Sequence, residues 1–469
     1  MVPPRSSIRA SKQMKNFPFQ TGLTIAIVAV LLAGVRLLVP SAQGLHWAHL
    51  SAIIDLRGDR VTLSPLIRHS DPILPIPAPA RLGKSPFLLD DSRGQLDHFY
   101  KALWRSEKRE NGAVTRIVHY GDSPTTSDLI TGDVRELLQR RFGDAGHGFV
   151  LVDKPWAWYQ HVGVKLFASG WLIAPASHFE AQDGMFGLGG VTFSGSAPAR
   201  STIIFERRRY SQFEVWYLRQ PSGGVLTVSA DGQLLGHVDT RGDSKSPGFA
   251  PFRVESGASG LNIQVDQGSV RLFGITAEKA GPGIVYDSLG LNGGSIEVLS
   301  HMFNPTHWAE ELRHRRPDLI IVNYGTNEAG FGSFLDSEYE RELREVIRRI
   351  RGAVPDSSIL VMSPLDRGRR TPSGEIETMP TIPRIVSIQR RVASETGCGF
   401  FDTFEAMGGA GTIGRWYAAE PRLIAADLIH PYGNAGKMIA GVFTKEIVAG
   451  LNRFKRRESI SDPPEGVRQ

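Results

Sequence analysis

Between about Trp156 and Ala280 the chain loses helical spacing almost entirely, whereas strand-like and helix-like runs alternate on both sides of that stretch. Nothing else in the sequence restricts the fold so severely. Short alternating runs bounded by Gly, Pro, Ser and Asp, among them SQFEVWYLRQ, GVLTVSADGQLLGHVDT, LNIQVDQ and SVRLFGITAE, read as strands, and Asp231-Gly232 is a hairpin signal. Several strands at this spacing predict a β-sandwich. Outside it, Arg116–Tyr120, Gly283–Asp287, PDLIIVNYG (317–325), SSILVMSPLD (357–366) and GFFDTF (399–404) read as strands. Helical runs lie at about Gln95–Ser106, Asp128–Arg141, Pro305–Arg315, Ser337–Arg351, Pro383–Glu395 and Tyr432–Leu451. Flat apolar strands are those of a buried parallel sheet. The pattern therefore predicts a doubly wound α/β domain of five strands, with helices on both faces and the sandwich inserted between its first two strands.

The 469 residues divide accordingly. Residues 1–21 are basic, with Arg5, Arg9, Lys12 and Lys15, and precede an almost wholly apolar run at 22–40. That bias predicts a cytoplasmic N-terminus, a single-pass inner-membrane anchor and a periplasmic body. A cleaved signal peptide is the rival, but the run is long for one and Pro40-Ser41-Ala42 is a poor cleavage site. Prolines recur through 41–85, as in an extended tether. The α/β domain is expected at 86–155 and 281–452, the sandwich at 156–280 and a charged tail at 453–469. One cysteine, Cys398, excludes an internal disulfide and reads as a small core residue. A net charge of +6 comes with no recognised nucleic-acid module, so nucleic acid is not an expected partner. The oligomeric state is not legible.

Four segments fall at predicted carboxyl ends of strands, or at the start of the last helix, where ligands bind in open α/β sheets. Gly121-Asp122-Ser123 breaks the first strand and puts Ser123 on a turn at a helix start. The same tripeptide recurs as Gly242-Asp243-Ser244 in a loop, so by itself it says little. SLGLNGGS (288–295) is a glycine-rich turn whose N–H groups could face a ligand; NYGTNE (323–328) projects Asn327 past a buried strand; DLIHP (427–431) sets Asp427 and His430 three residues apart. A serine hydroxyl needs an imidazole to take its proton, and the imidazole needs a carboxylate to orient it. A tetrahedral oxyanion needs donors already aimed at it, here the N–H groups of Ser123 and Gly293 and the Asn327 amide. Each piece has a plainer use: Asp427 or Asn327 as a helix cap, the glycines as turn formers. The order and common rim of all four carry the expectation of a catalytic site.

These segments resemble the four blocks of the SGNH (GDSL-type) hydrolases, over about 90–155 and 281–450. The resemblance implies a flavodoxin-like three-layer α/β/α fold and metal-free ester hydrolysis. It gives Ser123, Asp427 and His430 as triad and Ser123, Gly293 and Asn327 as oxyanion hole, with Gly290 the alternative to Gly293. HYGDSPTTSDLITGDVRELLQRRFGDAGHGF (119–149), GLNGG and NYGTNE, with a β-sandwich between the first two blocks, are similar to the periplasmic peptidoglycan O-acetylesterases. In those the insert is jelly-roll-like and similar to a carbohydrate-binding domain. Pro124-Thr125-Thr126 after the serine, and Gly433 and Gly436 in the last block, depart from the family pattern. The expected substrate is an O-acetylated envelope polysaccharide. Three readings follow: an O-acetylesterase, an O-acetyltransferase acting on an exopolysaccharide, and an idle polysaccharide-binding protein. The last would use Trp171, Phe213, Trp216 and Tyr217 to stack on sugars, although strand aromatics are more often core. Arg367, Arg369 and Arg370 read as a solvated loop near the site, with an acidic sugar or peptide stem as the alternative contact.

Overall fold

The computed structural model describes residues 88–177, 181 and 183–461. β1 (Leu89–Asp90) leads through the helix Asp97–Glu107 to β2 (Val114–Gly121), the single helical turn Ser123–Thr126 and the helix Thr131–Phe142. After β3 (Gly146–Val150) come strands with no described helix between them: β4 (Val164–Ser169), β5 (Leu172–Pro175), β6 (Val191–Ser196), β7 (Arg200–Phe205), β8 (Tyr210–Arg219), β9 (Val225–Ala230), β10 (Gln233–Asp239), β11 (Ser246–Ala258), β12 (Gly260–Gln267) and β13 (Ser269–Glu278). Helices return around β14 (Gly283–Gly290), β15 (Leu319–Asn323), β16 (Ser358–Met362), the small hairpin of β17 (Gly368–Arg370) and β18 (Ile376–Thr378), and β19 (Gly399–Phe401).

The main sheet runs β1-β19-β16-β15-β2-β14, parallel except for β1 against β19. Numbered by order in the chain, its five parallel strands lie 2-1-3-4-5, the flavodoxin-like arrangement. The chain leaves β2 toward β14 on one side and returns to β15 on the other. The segments that follow β2 and β15 therefore part to opposite faces of the sheet, which opens a crevice at the carboxyl ends of these strands. The period of two along each strand feeds two cores. Ile117, Leu319, Ile321, Leu360 and Phe401 face one, with Leu138, Ile439 and Phe443 from helices Thr131–Phe142 and Gly433–Ser461. Val118, Tyr120, Ile320, Val322, Ile359 and Val361 face the other, with Leu312, Val346 and Ile385.

That second core continues without a break into the insert. The insert is a sandwich of a five-stranded sheet, β10-β9-β12-β7-β4, and a second sheet, β11-β8-β13-β6-β5, in which β3 is the sixth strand through its pairing with β13. β8 is buried on both faces over much of its length because one side meets the other sheet and the other meets the helix Pro305–Arg315. Phe213, Trp216 and Tyr217 are accordingly buried, and the Trp171 indole N–H donates to the Ser201 hydroxyl; these aromatics are core rather than a sugar platform. The hairpin at Asp231-Gly232 forms with φ of 46° and 84°, as a type I′ turn requires.

Several details depart from the sequence reading: the sheet gains the antiparallel β1 beside the five expected strands, and β3, expected with the α/β domain, adds to the sandwich. The helix expected from Asp128 starts at Thr131. Asp128 sits at φ 54°, and its buried carboxylate accepts from Thr131 Oγ1 (2.6 Å), the Val162 N–H (2.9 Å) and the Arg135 guanidinium. The last helix runs on to Ser461, past the expected end at Leu451. The expected membrane span at 22–40 lies outside the described residues. Among the described residues no helix is long and apolar enough to cross a membrane.

Candidate active site

Ser123 stands where the crevice opens. Gly121 ends β2, and a Cβ there would come within 2.2 Å of Thr125 Oγ1, so only glycine lets the following turn fold back so tightly. Asp122 is extended, and Ser123 opens the helical turn with Pro124 behind it. The serine is 6% exposed. Its own N–H, at the first position of a helical turn, has no intrahelical partner.

His430 reaches it from the other end of the chain. The segment Ala425–His430 is a closed loop, with Ala425 N–H donating to the His430 carbonyl (2.8 Å) and Leu428 N–H to Ala425 (3.1 Å). Leu428 adopts φ 60°, a left-handed conformation costing a leucine roughly 1 kcal/mol or more. The return is that Asp427 closes on His430: Oδ1 accepts from the backbone N–H of Ile429 (2.9 Å) and His430 (3.1 Å), and Oδ2 lies 2.7 Å from His430 Nδ1. A carboxylate can only accept, so Nδ1 carries the proton and Nε2 presents its lone pair. Nε2 lies 2.7 Å from Ser123 Oγ.

The electrostatics follow. Burial works to lower the His430 pKa, but the Asp427 hydrogen bond and charge, helped by Asp122, outweigh it and hold the ring above its ordinary value. Burial likewise opposes the Asp427 charge, but the imidazole and two backbone amides keep the carboxyl below its usual range.

The amide donors lie across the crevice. Gly294 N–H donates to the Leu291 carbonyl (2.9 Å), closing a turn in which Gly293 has φ 67° and Asn292 has not crossed to positive φ, a type II geometry. The Gly293 N–H takes no part in that turn. Gly290 instead permits close packing: it is paired to Gly121 in β14, and a Cβ on it would lie 2.0 Å from the Thr126 nitrogen. Asn327 caps nothing; its side-chain amide donates to the Gly294 carbonyl (2.8 Å), tying the third segment to the second and leaving one N–H over. Beneath them Glu328 accepts from Ile296 N–H (2.7 Å) and Gly325 N–H (3.1 Å). Burial pushes Glu328 up to about 7 despite those bonds, and pushes Asp122 up to about 6 against its Thr326 hydrogen bond and the His430 charge.

All five residues singled out from the sequence, Ser123, Gly293, Asn327, Asp427 and His430, thus come to one crevice. Sequence reading missed Trp158 and favoured a solvated loop for Arg367, with a substrate carboxylate as the alternative. Trp158 donates its indole N–H to Asn292 Oδ1 (3.1 Å) beside Gly293 and remains 53% exposed. Arg367 Nη1 donates to the Thr326 carbonyl (2.6 Å), and its charge bears on Asp122, Asp427 and His430. Arg369 and Arg370 do lie in an exposed hairpin. Among the described residues no group of three or more His, Cys, Asp or Glu side chains is placed to hold a metal ion.

Comparison with known proteins bears on the fold. The model of the GDSL-like lipase/acylhydrolase family matches residues 257–433, which takes in Gly293, Asn327, Asp427 and His430 while the insert leaves Ser123 outside. The chain resembles the SGNH hydrolases and has their α/β fold with an added β-rich region. A solved peptidoglycan O-acetylesterase superposes with a TM-score of 0.68 at 21% identity, covering 78% of this chain and 99% of that one, and so shares its fold. A salicylyl-acyltransferase from a tetracycline biosynthetic pathway overlaps at TM-score 0.30 and 15% identity, over 62% of this chain and 95% of its own. A family two carbohydrate esterase from Clostridium thermocellum overlaps at 0.28 and 11%, over 61% and 99%. Both are too loose to bear on the argument. No curated protein matches the sequence.

Proposed function

We propose that the protein is a serine esterase that removes O-acetyl groups from a cell-envelope polysaccharide, with peptidoglycan the leading candidate. The observation that carries this is the unbroken relay of two 2.7 Å contacts, Asp427 to His430 and His430 to Ser123, set beside uncommitted amide donors. Ser123 Oγ attacks the acetyl carbonyl carbon as its proton passes to His430 Nε2. Asp427 stabilises the imidazolium, and the N–H groups of Ser123 and Gly293 with the Asn327 amide hold the oxyanion. Collapse breaks the bond to the sugar oxygen, which leaves with the proton from His430. A water then gives its proton to His430 and its oxygen to the acyl carbon; acetate departs and Ser123 recovers its proton.

In this reading residues 22–40 anchor the chain in the bacterial inner membrane and the body works in the periplasm. Their basic flank and apolar run support that placement. An intact relay speaks against an idle binding protein. Release of acetate from O-acetylated envelope glycans tests the proposal. Ser123→Ala, which leaves the backbone turn intact, should abolish it, whereas retained turnover would remove Ser123 as nucleophile. Running the same assay with a glycan acceptor separates hydrolysis from acetyl transfer.

A further inference from the structure

Of the three arginines in Arg367–Arg370, only Arg367 turns inward. Arg369 pairs with Glu377 and Arg370 stacks on Tyr417, both at the surface. Arg367 is half-buried, and its backbone is fixed on two sides: its carbonyl accepts from Met379 N–H (2.8 Å), and the next residue, Gly368, donates to the Leu428 carbonyl within the Asp427–His430 loop (2.9 Å). Its guanidinium lies over Gly330 and donates through Nη1 to the carbonyl of Thr326, the residue before Asn327. So placed, the cation stands between the segment bearing the Asn327 amide and the loop bearing His430.

The guanidinium has five N–H donors. Among the described residues one bond is formed, to a neutral carbonyl, and no carboxylate comes within ion-pair distance. A partly desolvated guanidinium without a paired carboxylate is costly, and the most deeply buried arginines have one: Arg135 has Asp128, Arg271 has Asp183, and Arg315 has Asp287 and Glu278. Arg349, half-buried like Arg367, is instead met by two carbonyls, of Leu299 and Phe303, and by the Trp308 ring, against the single carbonyl on Arg367. Three exposed aromatics belong to the segments that build the crevice. Trp158, held to Asn292, is 53% exposed; Phe331, next to Gly330, is 50% exposed; Tyr432, two residues after His430, is 38% exposed. Flat apolar surfaces and a fork-shaped cation on the segments of one crevice suit a sugar that also bears a carboxylate.

We infer that Arg367 is the anchoring point for a carboxylate on the substrate, so that the esters this site prefers are those of acidic sugars. The inference rests on the esterase reading above and adds the substrate's charge to it. Two kinds of sugar present such a group, one carrying it on a lactyl ether, the other on the ring as a uronic acid.

The test uses matched pairs. 6-O-acetyl-N-acetylmuramic acid is compared with its lactyl carboxamide, and an O-acetylated galacturonic acid with its carboxamide, so that each pair differs only in charge. Wild-type kcat/KM should favour at least one acid over its amide about tenfold or more, and the pair that responds identifies the source. Arg367→Gln should bring that ratio close to one, mostly through KM, and Arg367→Lys should restore part of it. Equal turnover of acid and amide by the wild type overturns the inference without recourse to any variant. A preference that survives Arg367→Gln overturns it as well, because the arginine is then only a strut for Thr326. Acetate release from the amides would still stand in both cases, which keeps this failure distinct from failure of the esterase reading.

Discussion

Asp427 offers a perturbation whose outcome can be worked out atom by atom. In Asp427→Asn the side-chain carbonyl can still accept from the Ile429 and His430 N–H groups, at 2.9 and 3.1 Å in the parent, so the loop keeps its shape. The other terminal atom becomes an NH₂ facing His430 Nδ1 at the 2.7 Å contact. Two donors cannot share that contact, so the imidazole moves its proton to Nε2 and Nδ1 turns acceptor. Nε2 then points N–H rather than a lone pair at Ser123 Oγ, and the serine has no base. The barrier should rise by about 4–5.5 kcal/mol, a loss of about 10³–10⁴ in kcat. Asp427→Ala should lose as much activity but also both backbone bonds, with about 1–2 kcal/mol of stability. Turnover of 4-nitrophenyl acetate, with thermal unfolding of both variants, reads the two effects separately. An Asp427→Asn enzyme within tenfold of wild type would refute the reasoning, since the tautomer would then be immaterial.

Two further outcomes follow from the same crevice. His430 must be neutral to accept a proton, and its pKa is raised, chiefly by Asp427 working against burial; kcat/KM for a neutral ester should therefore climb with pH and reach half its plateau above about 6.5. A midpoint well below that value would show that Asp427 does not reach the ring in solution. Asn327→Ala removes both a proposed oxyanion donor and the strap to the Gly294 carbonyl, so kcat should fall about 10²–10³-fold with little change in KM, as measured by steady-state kinetics.

Much of this is readable in the sequence because it is local. The flat strands at 319–323 and 358–362 announce a buried parallel sheet by composition alone, and Asp427 and His430 are close enough in the chain for their contact to follow from spacing. The β-sandwich is visible from the absence of helical spacing. What escapes depends on distant partners. Asp128 reads as a helix start because nothing nearby shows that Arg135 and Val162 will claim its carboxylate. Arg367 and its neighbours at 369 and 370 have the same local character, and only the Thr326 carbonyl, 41 residues away, distinguishes the first. Glu328 and Trp158 take their roles from contacts with Ile296 and Asn292 across the crevice.

The hydroxyl and the imidazole that meet at 2.7 Å are 307 positions apart in the chain. During synthesis the nucleophile leaves the ribosome with β2 unpaired, and it must wait through the whole sandwich before β14 arrives to lie beside it. Its base comes later still, just ahead of the terminal helix. A nascent or prematurely ended polypeptide therefore carries an unarmed serine, and reactivity switches on only when the final element docks.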